Sequence, residues 1–145
     1  DSCGIGPMIE LPMTVFHDGL GRLRHVQLTA CSWREIEALL WRALARGQRS
    51  FVILSHGSEL LDRTRRRPDD VVVSRFDRLC AFLARHRDSF QLRCFDDGGL
   101  PSIGAVQPAA LSVGLWPTIG RVVEQAARHS RLIGDDDNGE AGAIE

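Results

Sequence analysis

Apolar residues change period several times along this chain, and each change predicts an element. Met8 to Phe16 (MIELPMTVF) is rich in strand-favouring residues, with Pro12 marking an edge strand or a local break. His17-Asp18-Gly19 reads as a turn, and Leu23 to Leu28 alternates as a second strand, so an N-terminal hairpin is predicted. Ser32-Trp33-Arg34-Glu35 is a capping box, in which the Ser hydroxyl and the Glu side chain satisfy each other's free amides. Ile36, Leu39, Leu40, Ala43 and Leu44 follow at helical spacing, and Gly47 is the expected stop. Ser50 to Ser55 (SFVILS) is a continuous apolar run, the pattern of a central parallel strand covered on both faces. Residues 57 to 73 read as a long connection. Ser74, boxed with Asp77, is expected to cap a second helix that buries Phe76, Leu79, Cys80, Phe82 and Leu83. Phe90 to Phe95 reads as a further strand, ended by Asp96-Asp97-Gly98-Gly99. Leu100 to Pro117 is loop, and Thr118 to Arg131 is a third helix, apolar at Ile119, Val122, Val123 and Ala126.

Strands separated by helices imply βα units. The predicted class is therefore α/β: a partial (β/α) barrel-like parallel sheet with flanking helices, an N-terminal hairpin and a disordered acidic tail. The runs at 51–55 and 90–95 are expected to be parallel neighbours joined by the helix near 74–87. The tail, Gly134 to Glu145, carries five acids and no base. The boundaries are 1–133 for the folded part and 134–145 for the tail.

At 145 residues there is room for one domain, and 43% apolar against 26% charged residues predicts a globular fold. A net charge of −1 argues against a general nucleic-acid binder. No apolar run reaches the ~20 residues of a membrane span. All basic residues are Arg, and with no Lys and no Tyr, Schiff-base, P-loop-lysine and tyrosine chemistry are excluded on this chain. Cys3, Cys31, Cys80 and Cys94 lack CxxC spacing and read as free, reduced and buried. The chain opens Asp1-Ser2-Cys3, with neither an initiator Met nor a signal-peptide pattern. A piece of a longer protein is expected, and the location leans cytoplasmic without being fixed.

The sharpest candidate is His56, a titratable side chain that ends a buried strand and precedes Gly57. In βα folds such strand ends carry the site. An imidazole there can act as general acid or base, or as a metal ligand. On position alone, a catalytic and a merely satisfied histidine have equal claim. Glu59 can orient His56 or be a surface residue of a short helix, the reading we favour. Glu10 points to a polar cavity or, more commonly, to solvent. His17 and His25 are expected on the surface, and His86 and His129 near helix C-termini, where the dipole favours a cation. Arg63, Arg65, Arg66 and Arg67 read as a solvated loop. Ser112, in Ala110-Leu111-Ser112-Val113-Gly114, is a degenerate nucleophile elbow with no convincing strand before it, so an α/β-hydrolase is a minor alternative.

Three segments in order resemble the C-terminal half of bacterial polysaccharide deacetylases, carbohydrate esterase family 4. IELPMTVF is similar to a late strand of that family. FVILSHGSELL resembles its last motif, a strand ending in a histidine, and SRFDRLCAFLARHRDSFQLRCF its closing helix and strand. PTIGRVVEQAARH is similar to a C-terminal helix of an exopolysaccharide-associated branch. The resemblance implies a distorted barrel and hydrolysis of the amide C–N bond of N-acetylated sugars, on an acetylated polysaccharide or oligosaccharide. His56 matches the histidine that protonates the leaving amine. A complete member would carry a zinc-like divalent metal, but its early Asp and His-x-x-x-His match nothing here, so no cofactor or metal ligand is assigned to this chain. Its own missing N-terminal half is then an expected partner. A non-catalytic relative that binds carbohydrate or a partner is the alternative. Asp96-Asp97-Gly98 spells the family's first motif out of place and reads as turn chemistry.

Overall fold

The structure, a computed structural model, describes residues 3–5, 8–62, 66–93 and 109–139, with side chains described for 11–62, 66–93 and 109–127. The predicted first strand is two strands. β1 (Cys3–Ile5) pairs antiparallel with β2 (Met8–Glu10), and β3 (Val15–His17) pairs antiparallel with β4 (Leu23–His25). Pro12 lies in the gap between β2 and β3, where a residue without an N–H is tolerated. The hairpin turn is closed by Asp18. Its carbonyl accepts from Gly21 N at 2.9 Å, and its Oδ1 accepts from the amides of Leu20 and Arg22, both at 3.0 Å. Gly21 takes φ +77°, a value costly for a residue with a Cβ.

α1 (Trp33–Ala45) begins as the sequence predicts. Glu35 N donates to Ser32 Oγ at 3.3 Å, and Ser32 N donates to Glu35 Oε2 at 2.9 Å. Ile36, Leu39, Leu40 and Ala43 form its buried stripe. The chain leaves α1 at Gly47, whose φ of +64° lets its amide reach Leu44 O at 2.9 Å while Gln48 N reaches Ala43 O.

α2 (Asp70–Arg85) starts earlier than predicted. Its cap is Asp69, accepting from Val72 N at 3.2 Å, and Ser74 lies within the helix. An Asp directly after Pro68 is a strong start signal, and a buried Val72 rewards it. The shift rotates the inner face to Val72, Arg75, Leu79 and Phe82, leaving Phe76 and Cys80 exposed. α1 and α2 meet through rings: Trp41 lies edge-on to Phe82 at 5.4 Å and to His86 at 4.9 Å. Of the predicted long connection, Gly57–Leu60 form a 3-10 turn, Leu61 bridges Pro68, and residues 70–73 belong to α2.

The general α/β class holds, but the sheet is not a barrel. β5 (Leu111–Ser112) pairs parallel with β3, giving an open, mixed sheet in the order β4-β3-β5. The run 51–55 is not a doubly covered central strand. It is extended and half-buried over 51–54, and its one bridge joins Leu54 to Gln27 in the parallel sense. Nor does it pair with any described residue of the 90–95 run. Residues 90–93 belong to no strand, and 94 and 95 lie outside the described residues. The parallel partner comes instead from a segment read as loop. Phe16 and Leu111, paired across that junction, sit in the core with Val26, Leu28, Ile36, Leu39 and Val72.

α3 (Leu115–Gly139) is longer than predicted and is helical into the stretch read as an acidic tail, while 140–145 lie outside the described residues. It packs on α1 through its polar side. Thr118 and Arg121 are buried, whereas Ile119, Val122 and Val123 face solvent. Gly19 is required where the hairpin meets α3, because a Cβ there would fall 2.5 Å from the Leu115 Cα.

Candidate functional site

His56 is positioned by backbone bonds on both sides. Upstream, Leu54 N donates to Val26 O at 2.9 Å and Leu28 N to Leu54 O at 3.0 Å, while Val52 N donates to Thr14 Oγ1 at 2.8 Å. Downstream, the 3-10 turn folds back, with Glu59 N donating to His56 O at 2.9 Å. The Glu59 carboxylate accepts from His56 N at 3.3 Å and from Gln27 Nε2 at 2.8 Å. Glu59 therefore fixes the backbone on which His56 sits. His56 itself is exposed rather than packed in the core, which leaves its ring open to a substrate. Gln27 has no counterpart in the sequence reading. It faces Glu59 because residue 27 pairs with residue 54, a register that periodicity alone does not give.

The residues suited to a metal do not gather around His56. Among the described residues no group of three or more His, Cys, Asp or Glu side chains could hold an ion. The described residues thus do not fit the metal that the resemblance implies. His17 is exposed, with Nδ1 3.2 Å from Gly21 O, and His25 is exposed as expected. His86 caps the C-terminal end of α2. Of the arginine run, Arg66 N donates to Asp62 Oδ1 at 3.2 Å, while 63–65 lie outside the described residues. So do Asp96, Asp97 and Gly98, and the side chains of Glu10 and His129. A short strand does precede Gly114, but Ser112 lies inside it, in register with His17, and not on a strand-to-helix turn.

A buried polar hub that the sequence reading missed joins the hairpin, α1 and α3. Arg121 lies between two acids, with Nε 3.1 Å from Glu35 Oε1 and an NH2 3.4 Å from Asp18 Oδ2. Arg24 NH1 stands 3.8 Å from Glu35 Oε1, and its NH2 donates to Ala30 O at 2.7 Å. Gly19 N donates to Thr118 Oγ1 at 2.8 Å, and Gln125 Nε2 donates to Ala30 O at 3.3 Å. Two acids balance two bases, and each carboxylate also accepts backbone amides. Such groups hold elements together. The available signal was the spacing of Thr118, Arg121 and Gln125 on one side of α3. A second tie, Arg75 to Glu124 at 2.6 Å, joins α2 to α3, and Arg75 NH1 also donates to Leu28 O and Thr29 O.

Asp18 makes the hub sensitive to acid. Burial works to raise its pKa, but the amides of Arg22 and Leu20 and the charges of Arg121 and Arg24 together outweigh burial, so the carboxyl lies below its ordinary value. A group held below its unfolded pKa adds stability above that pKa and loses it as pH falls through the folded value. Asp18→Asn should therefore be less stable at neutral pH and should lose less on acidification below about pH 4. Urea unfolding of both proteins at a series of pH values checks this, and parallel acid limbs would count against it. Burial raises the Cys31 thiol, despite the amide of Gln27, so Cys31 stays a neutral thiol beside the hub.

In comparison with known proteins, no family model, no curated protein and no solved structure matches this chain. Among the described residues no helix is long and apolar enough to cross a membrane.

Proposed function

We propose that this chain is the C-terminal portion of a polysaccharide deacetylase-like hydrolase, acting on the acetamido group of N-acetylated sugars. The observation that carries the reading is His56: it ends an extended segment, is exposed, and is held by the Glu59 clamp on its backbone. An imidazole so held can donate a proton to the nitrogen of a leaving sugar amine as the C–N bond breaks, with acetate as the other product. The ordered likeness of IELPMTVF, FVILSHGSELL and the 74–95 segment to the deacetylase family supplies the substrate class. A divalent metal is the family's means of polarising the amide and activating water. The residues described here do not fit one, so that half of the chemistry is assigned to a missing N-terminal half and no step of it to this chain.

The alternative, a non-catalytic carbohydrate- or partner-binding relative, rests on a sequence fact: no two of its histidines have the i,i+4 spacing of the family's ligand pair. Acetate release separates the two. The intact protein, incubated with N-acetylglucosamine oligomers and a divalent metal, should release acetate together with free amines in equal amounts. Binding of the oligomers without release favours the alternative, and neither binding nor release overturns both.

A further inference from the structure

The outward surface of α3 between 115 and 127 is apolar without interruption. Leu115, Trp116, Ile119, Val122 and Val123 are 40–79% exposed, with Trp116 the most open. The helix has the amphipathic spacing of a core element, yet its polar side is the one packed inward. The two charged residues of this stretch are both engaged: Arg121 is buried in the hub and Glu124 is paired with Arg75. Leu20, beside the Gly19 contact with Leu115, extends the surface onto the hairpin and is 58% exposed.

We infer that this face of α3 is the interface of a two-fold symmetric dimer with a second copy of the chain. Area is the first argument. Taking ~250 Å² for a whole Trp and ~150 Å² for an aliphatic side chain, these six residues leave roughly 500–600 Å² in solvent, a large contiguous patch for a monomer. Two copies would bury about 1,000–1,200 Å², the lower bound for a specific association. Charge is the second. A two-fold contact sets a surface against itself, so any exposed charge near the axis meets its like. This face has none. The same lack argues against a lipid surface, which basic residues beside the stripe would favour. The inner side of α3, fixed by its ion pairs, holds the outer side in one orientation.

Sedimentation equilibrium on the full chain at about 1 to 200 µM tests the dimer. The mass should rise from 16.1 kDa to twice that value. Val123→Glu should weaken association about 100-fold or more, through like charges facing across the axis. Trp116→Ala should weaken it about 10-fold or more through loss of the anchoring ring. Both side chains are exposed, so thermal melts at concentrations where wild type is monomeric should match it. If Val123→Glu fails to fold, Trp116→Ala carries the test alone. A monomer at every concentration overturns the proposal, as does a dimer that neither substitution weakens. A monomer that floats with phosphatidylcholine vesicles overturns it in favour of lipid.

Discussion

Glu35→Ala should destabilise the protein by about 3–5 kcal/mol, because it breaks a buried ion pair from one side only. The Glu35 carboxylate is fully buried and accepts from Ser32 N, Ser32 Oγ and Arg121 Nε. Its loss opens the capping box of α1 and leaves Arg121 with the longer contacts to Asp18, at 3.4 Å, and to Gln125 Oε1, at 3.3 Å. Cap loss alone is worth about 1 kcal/mol, so most of the effect comes from the stranded guanidinium. For a chain of this length the melting temperature should fall by roughly 10–15 °C. Arg121→Met should also be costly, since it leaves Asp18 and Glu35 facing each other's surroundings with Arg24 as the remaining cation. The double substitution Glu35→Ala with Arg121→Met should cost less than the sum of its parts, the mark of direct coupling. Urea unfolding of the four proteins measures this. Additive losses, or a Glu35→Ala loss under ~1 kcal/mol, would show that the hub does not hold α3 to the body.

What was legible in the sequence was local. The Ser32–Glu35 box, the Asp18 turn, the Gly47 exit and the stripe of α1 each depend on residues within one or two turns, and each is present as read except that Leu44, expected in the stripe, is 41% exposed. What was not legible depended on partners far along the chain. The parallel neighbour of β3 is Leu111–Ser112, a two-residue strand too short to show alternation and set among prolines and glycines. The run 51–55 has the composition of a doubly covered strand, but it pairs through a single bridge and stays half-buried. α3 defeats the pattern outright. Its apolar positions predict the inner face, yet two ion-paired carboxylates and a hairpin amide select Arg121 and Thr118 for that place. Asp18 and Glu35 were read correctly as turn and cap residues, but each also has a long-range partner that no local rule reveals. For His56, the sequence supplied the position at the end of an apolar run, though that run forms a single bridge and not a strand. The Glu59–Gln27 contact that steadies it required the register.

His56→Ala should lower the kcat of acetate release by roughly 10²–10⁴-fold in the intact enzyme, the usual span for a general acid–base group. The reasoning starts from where the proton is needed. An amide nitrogen leaves poorly as an anion, so its protonation contributes in the transition state and scarcely at all in the ground-state complex. KM should accordingly change far less than kcat. The fold should survive, because His56 is exposed and its backbone bonds to Glu59 do not involve the ring. Glu59→Gln separates positioning from proton donation. It keeps one acceptor oxygen and sets an NH2 donor against either Gln27 Nε2 or the His56 amide, which loosens the clamp without removing the imidazole, so it should lower kcat less than His56→Ala. Steady-state kinetics beside a thermal melt for each variant reads all of these. An unchanged kcat in His56→Ala would remove the catalytic role. A lost cooperative melt in the same variant would instead make the histidine a structural group at the turn.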